Sequence, residues 1–168
     1  MLAVRWICIV VGAAVLAGCA TQPKQDPALA AKSLFDETTK LYHLPSAEAK
    51  GAEQKRLLAE AAAGYEHLLR SYPGQPYWCA QALRSLGNVR VTQGRLDDAI
   101  TLYRQVGEKY PGQEWEVLQA WKSAGDLLWE DSRQAEAKTF YQQIVTRFDK
   151  PEQPSIFRVV VRASKARL

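Results

Sequence analysis

The chain has 168 residues, a formal net charge of +4 and three cysteines. That length suits one compact domain. So small a charge, with the basic residues scattered, argues against a nucleic-acid partner. So few cysteines argue against a disulfide scaffold.

The N-terminus reads "MLAVRWICIVVGAAVLAGC". Arg5 precedes an apolar run from Trp6 to Leu16, the order of a signal peptide. The run falls short of the ~20 apolar residues that a permanent membrane span needs. It ends in Leu16-Ala17-Gly18-Cys19, which resembles the bacterial lipobox. The resemblance implies cleavage before Cys19 and a lipid on its thiol. The alternative is a signal anchor with an incidental cysteine. The expected organisation is a signal peptide over 1–18, a lipidated tether over 19–27 and a helical domain over 28–168. The tether is polar and holds two prolines, Pro23 and Pro27. Cys8 would leave with the signal peptide. Cys79 would then lack a disulfide partner, and we expect it to be small, half-buried and unreactive.

Apolar periodicity and polar helix starts predict helices at Ala28–His43, Ala52–Ser71, Ala80–Gln93, Arg95–Lys109, Trp115–Glu130, Arg133–Arg147 and Ser155–Ala166. The last contains "RVVVR", whose β-branched residues favour strands when free. A helix that caps the open end of a stack is the preferred reading.

These helices repeat. "YPGQ" occurs at Tyr72–Gln75 and at Tyr110–Gln113, an offset of 110 − 72 = 38 residues. Ala61, Ala99 and Ala137 share that offset, as do Tyr65, Tyr103 and Tyr141. Gly87 recurs as Gly125, and Tyr77 is answered by Trp115. A fixed period of this size marks a repeat array. Leu83, Leu86-Gly87, Ala99, Tyr103 and Pro111 resemble the tetratricopeptide pattern, and Trp121, Gly125, Ala137 and Tyr141 repeat it. Arg90 replaces a usual aromatic, and Asp149 replaces a usual proline. The glycines are expected to let paired helices approach, and Gly94 and Ser132 to turn the chain between them. The first unit is irregular, with Phe35, Thr38, Thr39 and Tyr42 in its first helix. The fold class implied is an all-α solenoid of about three helix-turn-helix repeats with a capping helix.

No catalytic or metal-binding pattern stands out. His43 and His67 are the only histidines and lack metal-ligand spacing. Asp97-Asp98, like Glu114 and Glu116, reads as an acidic first turn that offsets a helix dipole. No enzyme activity, cofactor, metal or small-molecule substrate is expected.

Binding remains. In the tetratricopeptide family the first helices line a concave groove. With unit two starting at Ala80, the resemblance assigns groove positions Gln81, Arg84, Asn88 and Val91, and then Gln119, Lys122, Asp126 and Trp129. Arg84 with Asn88 resembles part of a carboxylate clamp. Alternatively the cations form a solvated face and Trp129 belongs to the core. The whole resembles repeat lipoproteins of the Gram-negative outer membrane that serve protein assembly, secretin piloting or cell-wall coordination. It implies a lipid-anchored, periplasm-facing adaptor for envelope proteins or their peptide segments. Ala20 after Cys19 favours the outer membrane over the inner. An envelope enzyme with a helical-repeat body and a structural lipoprotein with no groove ligand are the alternatives.

Overall fold

The computed structural model describes residues 26–168. The signal region, the lipobox with Cys19 and most of the tether lie outside the described residues. Seven α-helices follow: α1 (Pro27–Thr38), α2 (Gly51–Ser71), α3 (Pro76–Thr92), α4 (Leu96–Lys109), α5 (Glu114–Glu130), α6 (Gln134–Phe148) and α7 (Ser155–Lys165). Among the described residues there is no strand, and "RVVVR" is helical. Tertiary burial of Phe157 and Val161 outweighs the strand preference of its valines.

Several starts and stops have a local cause. The Asp26 carboxylate accepts from the Ala28 N–H at 2.9 Å, and Pro27 fills the first helical position. The helix then runs through a widened π turn at Thr39–His43 and a 3₁₀ turn at Pro45–Ala47. Unit two opens at Pro76, four residues before the expected Ala80. Proline has no N–H to satisfy in a first turn, so Trp78 and Cys79 join the helix. Gly94 turns α3 into α4 at φ 74°, and Ser132, 38 residues on, turns α5 into α6 at φ 62°.

The helices pack in consecutive pairs. In the second and third pairs the expected glycine contact is present, with a different occupant. A Cβ on Gly87 would lie 2.5 Å from the Tyr103 ring, and one on Gly125 would lie 2.7 Å from the Tyr141 ring. The glycines therefore admit a tyrosine ring rather than a neighbouring backbone. Ala61, Ala99, Ala137, Tyr65, Tyr103 and Tyr141 are all buried, as the 38-residue register requires. Cys79 is fully buried rather than half-buried, and its Sγ donates to the Tyr72 carbonyl at 3.2 Å. Burial pushes its thiol pKa up, which makes it a poor nucleophile.

The stack has two unlike sides. α1 packs on α3, α3 on α5 and α5 on α7, whereas the backbones of α2 and α4, and of α4 and α6, stay further apart, α4 and α6 meeting through side chains such as Asp97–Arg133 and Arg104–Phe140. The first helices therefore form the inner layer, and the second helices splay outward. α7 packs on α6 and α5. Its Phe157 meets Trp115 near the start of α5 at 5.6 Å, and Arg167 just past its end lies 4.5 Å from the Trp129 ring. It thus runs parallel to α5, in the place of a fourth first helix.

Candidate functional site: the inner face of the first helices

A row of tyrosine hydroxyls reaches the first helices from behind. Tyr65 hydrogen-bonds Thr39 Oγ1 at 2.9 Å and His43 Nδ1 at 2.8 Å. Tyr103 donates to Asn88 Oδ1 at 2.7 Å, and Tyr141 donates to Asp126 Oδ1 at 2.8 Å. Each ring is buried, so each hydroxyl needs a partner, and the polar residue on the first helix supplies it. Burial raises all three phenol pKa values, Tyr103 to about 12, so they stay protonated donors.

Gln81, Arg84, Asn88 and Val91 on α3 are half-buried, as are Gln119, Lys122, Asp126 and Trp129 on α5. The structure places them on the inner layer but alters what several of them offer. Arg84 Nε donates to the Glu116 carboxylate at 2.6 Å across the α3–α5 junction. Glu116 is buried, so it is an interhelix partner rather than the exposed dipole-offsetting residue its position near a helix start suggests. Lys122 is paired with Asp126 one turn away. Asn88 has its carbonyl oxygen taken by Tyr103, which leaves its amide N–H groups to donate. Trp129 lies between the Tyr141 ring, 6.2 Å away, and the Arg167 guanidinium. The inner face is therefore a polar row of alternating, internally matched charges with an aromatic at one end.

His43 closes the other end. Burial, assisted by the nearby Arg84 charge, lowers its pKa below 6.5, so it is neutral at pH 7. It hydrogen-bonds Tyr65 and makes no approach to His67, whose Nδ1 meets Ser71 at the far end of α2. Asp97 and Asp98 do not converge either. Asp97 pairs with Arg133 and Asp98 with Arg95. Among the described residues no group of three potential ligands could hold a metal ion.

Glu116, His43 and the tyrosine hydroxyls are the inner-face residues that local patterns miss. One signal was present for the hydroxyls. All three copies carry tyrosine where the pattern has phenylalanine, so the oxygen recurs with the period. Arg90, which replaces an aromatic, donates to Glu66 at 3.0 Å and to Gln93 at 2.8 Å, so it ties α3 to α2.

No curated protein matches the chain. Residues 81–112 match the family model of the tetratricopeptide repeat, a module that is typically non-catalytic and mediates protein–protein contacts. That stretch runs from the inner face of α3 through α4 to the turn before α5. The chain carries a tetratricopeptide repeat at its centre, within an all-α, tetratricopeptide-like helical fold.

Proposed function

We propose that this chain is a lipid-anchored adaptor of a bacterial envelope, which holds partner proteins on the inner face of its first helices. The observation that carries the binding half is the half-buried polar row on α3 and α5, supported from behind by Tyr103 and Tyr141. Such a row presents fixed hydrogen-bonding groups with little further ordering to lose on binding. The anchoring half rests on Arg5, the apolar run to Leu16 and Cys19, in that order. It agrees with a structured part in which no helix is long and apolar enough to cross a membrane. The resemblance to outer-membrane repeat lipoproteins supports a periplasm-facing position and a role in assembly, secretion or envelope coordination.

The two halves are tested separately. Cys19→Ser removes the thiol that would be acylated. Metabolic labelling with a fatty acid should mark the wild type and miss the variant, and a labelled variant would contradict the anchor. For the inner face, Lys122→Ala with Trp129→Ala should reduce recovery of crosslinked envelope partners several-fold at equal abundance. Arg84 is a poor choice for that test, because its loss would leave Glu116 buried without a counter-charge. An unchanged partner set in the double variant would contradict the inner-face reading.

A further inference from the structure

Helix α7 carries three interleaved rows, each at helical spacing. Phe157, Val161 and Ser164 are buried against the stack. Ile156, Val159 and Ala163 form a second row that faces solvent, with Ile156 50% and Val159 61% exposed. Arg158, Arg162 and Lys165 form a third, also exposed. No acidic residue occurs between Gln153 and Leu168. Arg158 is spent only on the Gln153 carbonyl, and Arg162 makes no ion pair among the described residues. The basic row borders a cavity of about 470 Å³, closed on its other side by Asp149, Lys150 and Pro151. Its single carboxylate, Asp149, is taken by Lys165 at 2.6 Å.

This surface differs from the inner face, where Arg84 and Lys122 each have a carboxylate beside them. Here exposed aliphatic side chains run beside Arg158 and Arg162, which have no ion-pair partner among the described residues and rim the cavity. α7 also occupies the place of a first helix, and among the described residues no second helix packs on it as α4 packs on α3. We propose that the outer surface of α7 docks an acidic amphipathic helix of a partner protein. Its apolar stripe would cover Ile156, Val159 and Ala163. Its acidic flank would enter the cavity and pair with Lys150, Arg158 and Arg162. The recess favours a helix over a flat anionic bilayer, because a carboxylate on a narrow rod reaches cations that a sheet of headgroups would span. The inference does not depend on the inner-face reading, since the two surfaces share no residue.

The test uses the full-length chain in discs of phosphatidylcholine, with empty discs as the blank. The probe is a fluorescent designed helix of about 18 residues, long enough to populate helix in water. It has leucine at i, i+3 and i+7 and glutamate along one flank. Saturable binding is expected. Arg158→Glu with Arg162→Glu should weaken it about ten-fold or more, and Val159→Ser about five-fold. Lys122→Ala on the inner face should leave it unchanged, so this result stands apart from partner recovery there. Failure of the probe to bind overturns the proposal. So does equal binding by a lysine-for-glutamate probe, or binding that survives the charge reversal. Quenching of a fluorophore on Val159→Cys by spin-labelled phosphatidylglycerol, in place of peptide binding, would assign α7 to a membrane surface instead.

Discussion

The two junctions between successive units solve one packing problem with opposite sizes. At the junction of α4 with α5, Trp121 of α5 presses on Gly107 of α4, where a Cβ would lie 2.6 Å from the indole. One period earlier the same two positions are Leu83, which is buried, and Leu69, which is partly buried and packs against the same core. A large residue faces a small one in the first case, and two medium residues share the space in the second. Each junction is filled by a different pair of sizes at the same two register positions, as close packing demands. Unit one extends the lesson. There Gly64 on the second helix is the small partner, and Thr38 from the first helix fills its space, so that a Cβ on Gly64 would collide with the threonine side chain. In the later units the glycine is on the first helix and the tyrosine on the second.

The sharpest way to break this comparison is to move one junction toward the other. Gly107→Leu alone drives a side chain into Trp121 and should cost about 3 kcal/mol or more. Adding Trp121→Leu recreates the Leu69–Leu83 arrangement and should recover most of the loss. Thermal melts of the two variants decide it, and a double variant no better than the single one would mean the junctions are not equivalent.

The Arg84–Glu116 pair comes next. Arg84→Ala leaves a buried carboxylate without its cation, but Arg84 is itself 26% exposed and water offsets part of the loss. A cost of about 2 kcal/mol is expected. Glu116→Gln in the same chain should return roughly half of it, as read by urea unfolding.

The turns offer a smaller effect of opposite sign. Ser132 holds the left-handed conformation that Gly94 adopts without strain. Ser132→Gly should therefore stabilise the chain by about 0.5–1 kcal/mol, and Gly94→Ala should destabilise it by a similar amount. A Ser132→Gly chain that melts below the wild type would show that the serine makes an offsetting contact.

The smallest effect is the titration of His43. Its folded pKa lies below 6.5, so the folded chain holds fewer protons there than the unfolded one. The stability this gives is complete above His43's ordinary value and is lost as pH falls from there through the lowered folded value. The melting temperature of the wild type should drop more steeply between pH 7.5 and 5 than that of His43→Gln. Parallel curves would remove the role assigned to burial.

The helix pairs were legible because glycine, alanine and tyrosine recur at one offset, and a shared register is independent of propensity. Six of the seven expected helix starts fall within one residue of the observed ones, and only α3 begins four residues early. Its opening turn was hidden because Pro76 follows a proline-glycine pair and reads as linker. The proposed inner-face residues could be numbered because Gly87 and Gly125 set the helix phase. Their chemistry could not be read. Arg84 and Glu116 are 32 residues apart, and they meet only because α3 and α5 stack at a particular angle that no local pattern encodes. The exposed rows of α7 were present in "SIFRVVVRASK", yet which row would face the stack depended on how the turn from α6 aims it.

One measurement bears most directly on the adaptor account. A photoreactive amino acid placed at Gln119, on the inner face of α5, is compared with one at Gln142, exposed on the outer face of α6. In living cells the account predicts protein adducts at Gln119 that are lost with Lys122→Ala and Trp129→Ala, and few at Gln142. Adducts at Gln142 with none at Gln119 would contradict it.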